Sequence, residues 1–77
     1  MHQTTVRMKD GRTFCGSIWT FRPEEGWFSI PDDESAPDRI YLRDVASAVT
    51  RGDRCRYGRI EDVDLLERAR RQGWQGD

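Results

Sequence analysis

The stretch Thr4-Thr5-Val6-Arg7-Met8-Lys9-Asp10-Gly11 decides the fold class. Val6 and Met8 fall on one side of an extended chain and Arg7 and Lys9 on the other, the period of two that marks a half-buried strand. Asp10-Gly11 follows at once. An Asp-Gly pair between two strand-like runs favours a tight type I′ hairpin, whose two central residues take positive φ. The first two strands are therefore expected to pair antiparallel.

Working outward, residues 12–21 (RTFCGSIWTF) are rich in aromatic and β-branched side chains but do not hold one phase. Phe14 and Ile18 share a parity, whereas Trp19 and Phe21 have the other. Gly16 accounts for the change, because glycine inside a strand marks a bulge or sharp bend. Residues 27–30 form a third strand, closed by Pro31, and the run DDESAPD that follows is an acidic, turn-rich loop. In residues 39–42 (RIYL), Ile40 and Leu42 share one face. Arg43-Asp44 then make a one-turn step into a fifth strand, VASAVT. No crossover helix separates these runs, so the pattern predicts a mainly β fold, a small five-stranded, strongly bent antiparallel barrel of the SH3-like type.

Past residue 60 the period changes. Val63, Leu66 and Ala69 recur at helical spacing, Asp62 and Asp64 lie in the first turn, Arg68, Arg70 and Arg71 in the last, and Gly73 is a stop. The pattern predicts a helix over about 61–72 that packs through Val63, Leu66 and Ala69. Residues 1–60 are then the barrel, 61–73 a C-terminal helix of the same domain, and 74–77 a tail whose Trp74 is expected to dock.

Composition narrows the possibilities. Seventy-seven residues, with apolar and charged side chains at 35% each, suit one domain with an economical core enriched by three Trp, three Phe and two Tyr. Self-association would help so small a core, and a homo-oligomer is a possible state. Cys15 and Cys55 lack the dense spacing of a secreted disulfide framework and are expected to be reduced thiols. His2 is the one histidine, so no metal site is expected, and no cofactor. With no apolar run of membrane-spanning length and no hydrophobic leader, the expected partner is not a membrane and the expected compartment is the cytoplasm.

The motifs Val6-Arg7-Met8-Lys9-Asp10-Gly11-Arg12, Gly16-Ser17-Ile18 and Arg39-Ile40-Tyr41-Leu42-Arg43-Asp44-Val45 resemble the rhythm of Sm-like proteins. In that family a Lys-Asp-Gly-Arg hairpin leads into a second strand bent at glycine, and a later strand ends in an apolar-basic-Asp-Val step. Arg51-Gly52-Asp53 is similar to the Arg-Gly element of the family's second motif. The resemblance covers roughly residues 4–56. It implies a ring of subunits that binds single-stranded RNA. The loop Arg22-Pro23-Glu24-Glu25-Gly26-Trp27 departs from the pore-lining aspartate and asparagine of the family's first motif, and the helix sits at the C-terminus instead of the N-terminus.

Chemistry-bearing constellations favour binding over catalysis. Neither cysteine has a histidine base, no serine occupies a nucleophile elbow, and no glycine-rich loop precedes a helix with a lysine, so an enzyme is not expected. The near-neutral net charge of −1 hides a basic segment that contains Arg51, Arg54, Arg56, Tyr57 and Arg59. Guanidinium groups pair phosphates and tyrosine stacks on bases, so this segment is the expected site for single-stranded RNA, DNA or a nucleotide. The alternative reading is a protein-binding adaptor or small inhibitor, of the kind a phage or mobile element encodes. It would use the aromatic residues Trp19 and Trp27 with the acidic Asp32, Asp33 and Glu34. Both readings stay open on sequence alone.

Overall fold

A computed structural model describes residues 3–54 and 60–76. His2, Cys55, Arg56, Tyr57 and Arg59 lie outside them. The chain is mainly β, with two antiparallel sheets and one C-terminal helix. Among the described residues seven strands are formed where five were expected. The four-stranded sheet has the order β2-β1-β6-β7, from β1 (Gln3–Met8), β2 (Thr13–Gly16), β6 (Val45–Arg54) and β7 (Ile60–Asp64). The three-stranded sheet has the order β3-β4-β5, from β3 (Thr20–Arg22), β4 (Trp27–Ser29) and β5 (Ile40–Tyr41). A 3₁₀ turn, Leu42–Asp44, carries the chain from the second sheet back to the first.

The hairpin appears where expected but with a different turn. Met8 N–H donates to Arg12 O at 2.8 Å and Gly11 N–H to Met8 O at 3.0 Å. Gly11 has φ of +97° and no non-glycine residue among those described has positive φ, which excludes a type I′ pair at Asp10-Gly11. The connection is the three-residue kind, a turn over Met8–Gly11 completed by a left-handed glycine. Asp10 stiffens it by accepting the Arg12 backbone N–H at 3.0 Å and the Arg12 Nε at 2.7 Å, contacts that hold its carboxyl below the usual range, the backbone bond foremost.

The phase change in residues 12–21 is a change of sheet. Strand β2 ends at Gly16 and β3 begins at Thr20, so Phe14 serves one sheet and Phe21 the other. A Cβ on Gly16 would lie 2.5 Å from Ile30 Cγ2 and 3.1 Å from Asp32 Cβ, so the crossing point admits no side chain. The inward faces of both sheets then meet in one cluster: Val6, Met8 and Phe14 from the first hairpin, Phe28, Ile30, Ile40 and Leu42 from the second sheet and its flanks, and Val45 and Ala48 from β6. Thr4 is the buried polar side chain among these, and its hydroxyl is satisfied by Thr50 Oγ1 at 2.9 Å. That pairing follows from register, since Thr4 lies opposite Thr50 across β1 and β6.

The C-terminal helix is shorter and differently faced than its sequence period indicates. Residues 60–64 pair with β6, placing Val63 opposite Thr50, and the helix α1 runs Leu65–Arg71. Asp64 is its N-cap, its carboxylate accepting from Leu66 N–H at 3.0 Å and Glu67 N–H at 3.4 Å. With the start moved past Asp64, the buried stripe is Leu65 and Ala69, one turn apart, while Leu66 packs at the margin and Val63 belongs to the strand. At the other end Gly73, at φ +113°, allows Trp74 N–H to bond Ala69 O at 3.0 Å and Gly73 N–H to bond Arg70 O at 3.4 Å. These are the two bonds of a Schellman cap, and they turn Trp74 onto the core as expected. Among the described residues no helix is long and apolar enough to cross a membrane.

Candidate nucleic-acid interface on the three-stranded sheet

The outer face of the β3-β4-β5 sheet gathers an arginine and aromatic row that no short stretch of sequence contains. Register places Arg22 opposite Trp27, and Trp27 opposite Tyr41, so the three residues lie side by side across three strands. Phe28 and Ile40, the next pair along, are fully buried on the other face. Because side chains alternate along a strand, burial of that pair turns Trp27 and Tyr41 outward. Trp27 is half-buried and Tyr41 is 37% exposed, which leaves ring surface available at both.

Two further arginines lie over these rings. The Arg39 guanidinium carbon sits 4.5 Å from the Trp27 ring centroid, and that of Arg43 sits 5.2 Å from Tyr41. Arg39 shares the parity of Tyr41 along β5, and the 3₁₀ turn projects Arg43 one step beyond. Arg22, Arg39 and Arg43 are all exposed. Ion pairs among the described residues join Asp10 to Arg12 and Glu67 to Arg71, and no described carboxylate pairs with Arg22, Arg39 or Arg43. Five arginine-ring contacts occur among the described residues, against two arginine-carboxylate ion pairs. Among the described residues arginine is thus placed on aromatic faces more than on carboxylates. Such an array offers flat π surfaces for bases and fixed guanidinium forks for phosphates.

Backbone bonds tie the strands together at the end of the sheet that carries Arg22, Trp27 and Tyr41. Gly26 N–H donates to Arg22 O at 2.9 Å to close the β3-β4 turn, and Leu42 N–H donates to Gly26 O at 2.9 Å to hold the start of the 3₁₀ turn against it. Pro23 within that turn is buried, whereas Glu24 and Glu25 are exposed.

The residues expected from sequence fall in different places. Arg51 is exposed on β6 opposite Gln3, and Arg54 ends β6 opposite Ile60. Arg56, Tyr57 and Arg59 lie outside the described residues. Of the alternative set, Trp27 belongs to the arginine and aromatic row, and Trp19 stands 71% exposed just before β3, its backbone N–H bonded to Ser29 O at 3.2 Å. Glu34 is exposed. Cys15 is an exposed free thiol, with its Sγ 3.9 Å from Thr5 Oγ1. Among the described residues no group of three or more His, Cys, Asp or Glu side chains could hold a metal ion.

Asp32 and Asp33 have an intramolecular use. Strand β2 is an edge strand; its Cys15 N–H donates to Asp33 Oδ2 at 3.0 Å, and the Ser17 N–H just past its end donates to Asp32 Oδ2 at 3.2 Å. The acidic loop therefore caps a sheet edge that would otherwise be open to another strand. Asp33 also accepts from the Ser35 hydroxyl and from Ser35 N–H at 2.9 Å. The Ser35 hydroxyl first, then the Cys15 and Ser35 amides, hold the Asp33 carboxyl below its ordinary value. A carboxylate whose folded pKa is depressed contributes stability above its unfolded pKa and loses it as pH falls through the folded value. Asp33→Asn is accordingly expected to lower the melting temperature at neutral pH, with the gap from wild type closing on acidification below about pH 4. Thermal melts followed by circular dichroism across that range check it. An equal gap at all pH values would remove the carboxylate's charge from the account. No family model matches the chain, and no curated protein and no solved structure matches it either.

Proposed function

We propose that this protein is a non-enzymatic binding module for single-stranded RNA or DNA, built on a small barrel of the SH3-like or Sm-like type. The strand order supports the barrel reading. The first hairpin continues through a bend at Gly16 into a second three-stranded sheet, and a 3₁₀ turn returns the chain to pair with β1. The observation that carries the function is the row Arg22, Trp27, Tyr41 with Arg39 and Arg43 stacked on its rings. Unpaired bases have exposed π faces and their phosphates need cations, and the row supplies both within one sheet face. A duplex, whose bases are stacked inside, would leave the rings unused.

A chain of net charge −1 cannot bind nucleic acid by overall attraction, so its affinity must come from local arrangement. Fluorescence anisotropy with labelled single-stranded oligonucleotides, titrated between about 50 and 200 mM salt, is the direct test. The expected result is binding to single strands that weakens with salt and exceeds binding to duplex of the same sequence. Replacing Arg39 and Arg43 by Glu should abolish it. Loss with Arg54 and Arg56 replaced by Glu, and none with Arg39 and Arg43 replaced, would move the site to the basic segment 51–59.

The exposed Trp19 supports a second reading, a protein-binding adaptor. A chain that ignores nucleic acid yet forms a complex with another protein that Trp19→Ala disrupts would favour it.

A further inference from the structure

Beside the aromatic row lies a second cationic feature, a cleft of about 460 Å³ between the first hairpin, the 3₁₀ turn and the end of α1. Its charged lining is Lys9, Arg43 and Arg70, its apolar wall includes Val45, Leu66 and Trp74, and among the described residues no carboxylate lines it. The three cations come from three segments, two of which a backbone bond joins directly. Lys9 N–H donates to Asp44 O at 2.9 Å, which fixes the hairpin against the 3₁₀ turn. The Schellman cap of α1 places Trp74, and the Arg70 guanidinium carbon lies 5.4 Å from its ring. Arg43 belongs to both features, since it lies over Tyr41 and also lines the cleft.

Resting on the reading of the Trp27 and Tyr41 face as a nucleic-acid interface, we propose that this cleft binds a backbone phosphate of the same strand. A strand whose bases stack on the rings then runs past Arg43 and down between Lys9 and Arg70. Charge complementarity selects the occupant: three unit cations around a cleft with no lining acid favour a phosphodiester. The helix end opposes this with a partial charge of roughly −0.5 at most, and the cap bonds already engage the Ala69 and Arg70 carbonyls. The volume accommodates a sugar and its phosphate.

The double variant Lys9→Gln and Arg70→Gln tests the path. Both side chains are exposed and make no ion pair among the described residues, so the variant loses little beyond the Arg70 contact with the Trp74 ring and should stay folded. Each phosphate contact on a single strand contributes about 0.7 to the slope of log affinity against log salt. Loss of the one phosphate held between these two side chains is therefore expected to flatten that slope by about 0.7 and to weaken binding at low salt. An unchanged slope, with binding weakened by Trp27→Ala and Tyr41→Ala, would overturn the cleft and leave the face intact. A flattened slope with full binding in the ring variant would overturn both the face reading and the path across it. Wild-type protein that binds neither oligonucleotide nor inorganic pyrophosphate would overturn the face and the cleft together.

Discussion

Gly16→Val is expected to lower the melting temperature by roughly 10 to 20 °C, from about 2–3 kcal/mol of overpacking at about 4–8 °C per kcal/mol in a domain this small. The cause is local and steric. Even a single Cβ would come within 2.5 Å of Ile30 Cγ2 and 3.1 Å of Asp32 Cβ, and Ile30 is itself buried in the core. The isoleucine cannot retreat without disturbing Phe28 and Leu42 in the same cluster. Asp32 cannot retreat without losing its bond to Ser17 N–H, and the β2 edge would open. Gly16→Ala should fall between valine and wild type. Adding Ile30→Ala to it should cost less than the sum of the two single changes, because the second change removes the methyl that the first strikes. Thermal melts of the four proteins measure the cycle. A valine variant that melts with the wild type would mean that the two sheets are not wedged at this glycine.

The same glycine shows what a sequence can and cannot reveal here. Alternation in Val6, Arg7 and Met8 is legible because one face of β1 is buried and the other is wet, so polarity follows the pleat. The bend at Gly16 is legible as a break in phase. That the break divides one run into strands of two sheets depends on Ile30 and Asp32, which approach from another part of the chain. The hairpin's position could be read from Asp10-Gly11, whereas its loop length is set by the register of Met8 against Arg12. At the C-terminus the residues of β7 have acceptable helical spacing, and only pairing with β6 makes them a strand. Asp64-Leu65-Leu66-Glu67 does carry a cap signal, an aspartate three residues before a glutamate, that marks the later helix start.

The interface is the least legible element because it is assembled by cross-strand register. Arg22, Trp27 and Tyr41 are separated in sequence by a turn and an acidic loop, and no composition window joins them. Part of the signal is nevertheless present in residues 39–43. If Ile40 and Leu42 face inward, then Arg39, Tyr41 and Arg43 must face outward, a basic-aromatic-basic stripe. A search weighted toward dense charge finds residues 51–59 first, since four arginines stand there within nine positions. Alternation, in contrast to density, points to the sheet face.

Replacing Trp27 and Tyr41 together by alanine is expected to weaken single-strand binding by at least about 30-fold, and to do so without altering its salt dependence. Stacking of a base on an aromatic side chain contributes about 1–3 kcal/mol per base, so two rings supply about 2–6 kcal/mol. No charge is removed, so the number of neutralised phosphates and the slope against salt should both persist. Arg39→Gln with Arg43→Gln is the complementary change. It keeps both rings, removes two phosphate partners, and should flatten the slope by about 1.4. The contrast separates two roles that a single affinity would merge. Structural damage is kept apart by the melts: Tyr41 is 37% exposed and Trp27 half-buried, so their loss should cost less stability than that of the fully buried Phe28 beside them. If the ring variant is folded and binds as the wild type does, bases do not rest on this face. The arginines would then act on phosphates alone, and the preference for single strands over duplex should vanish with them.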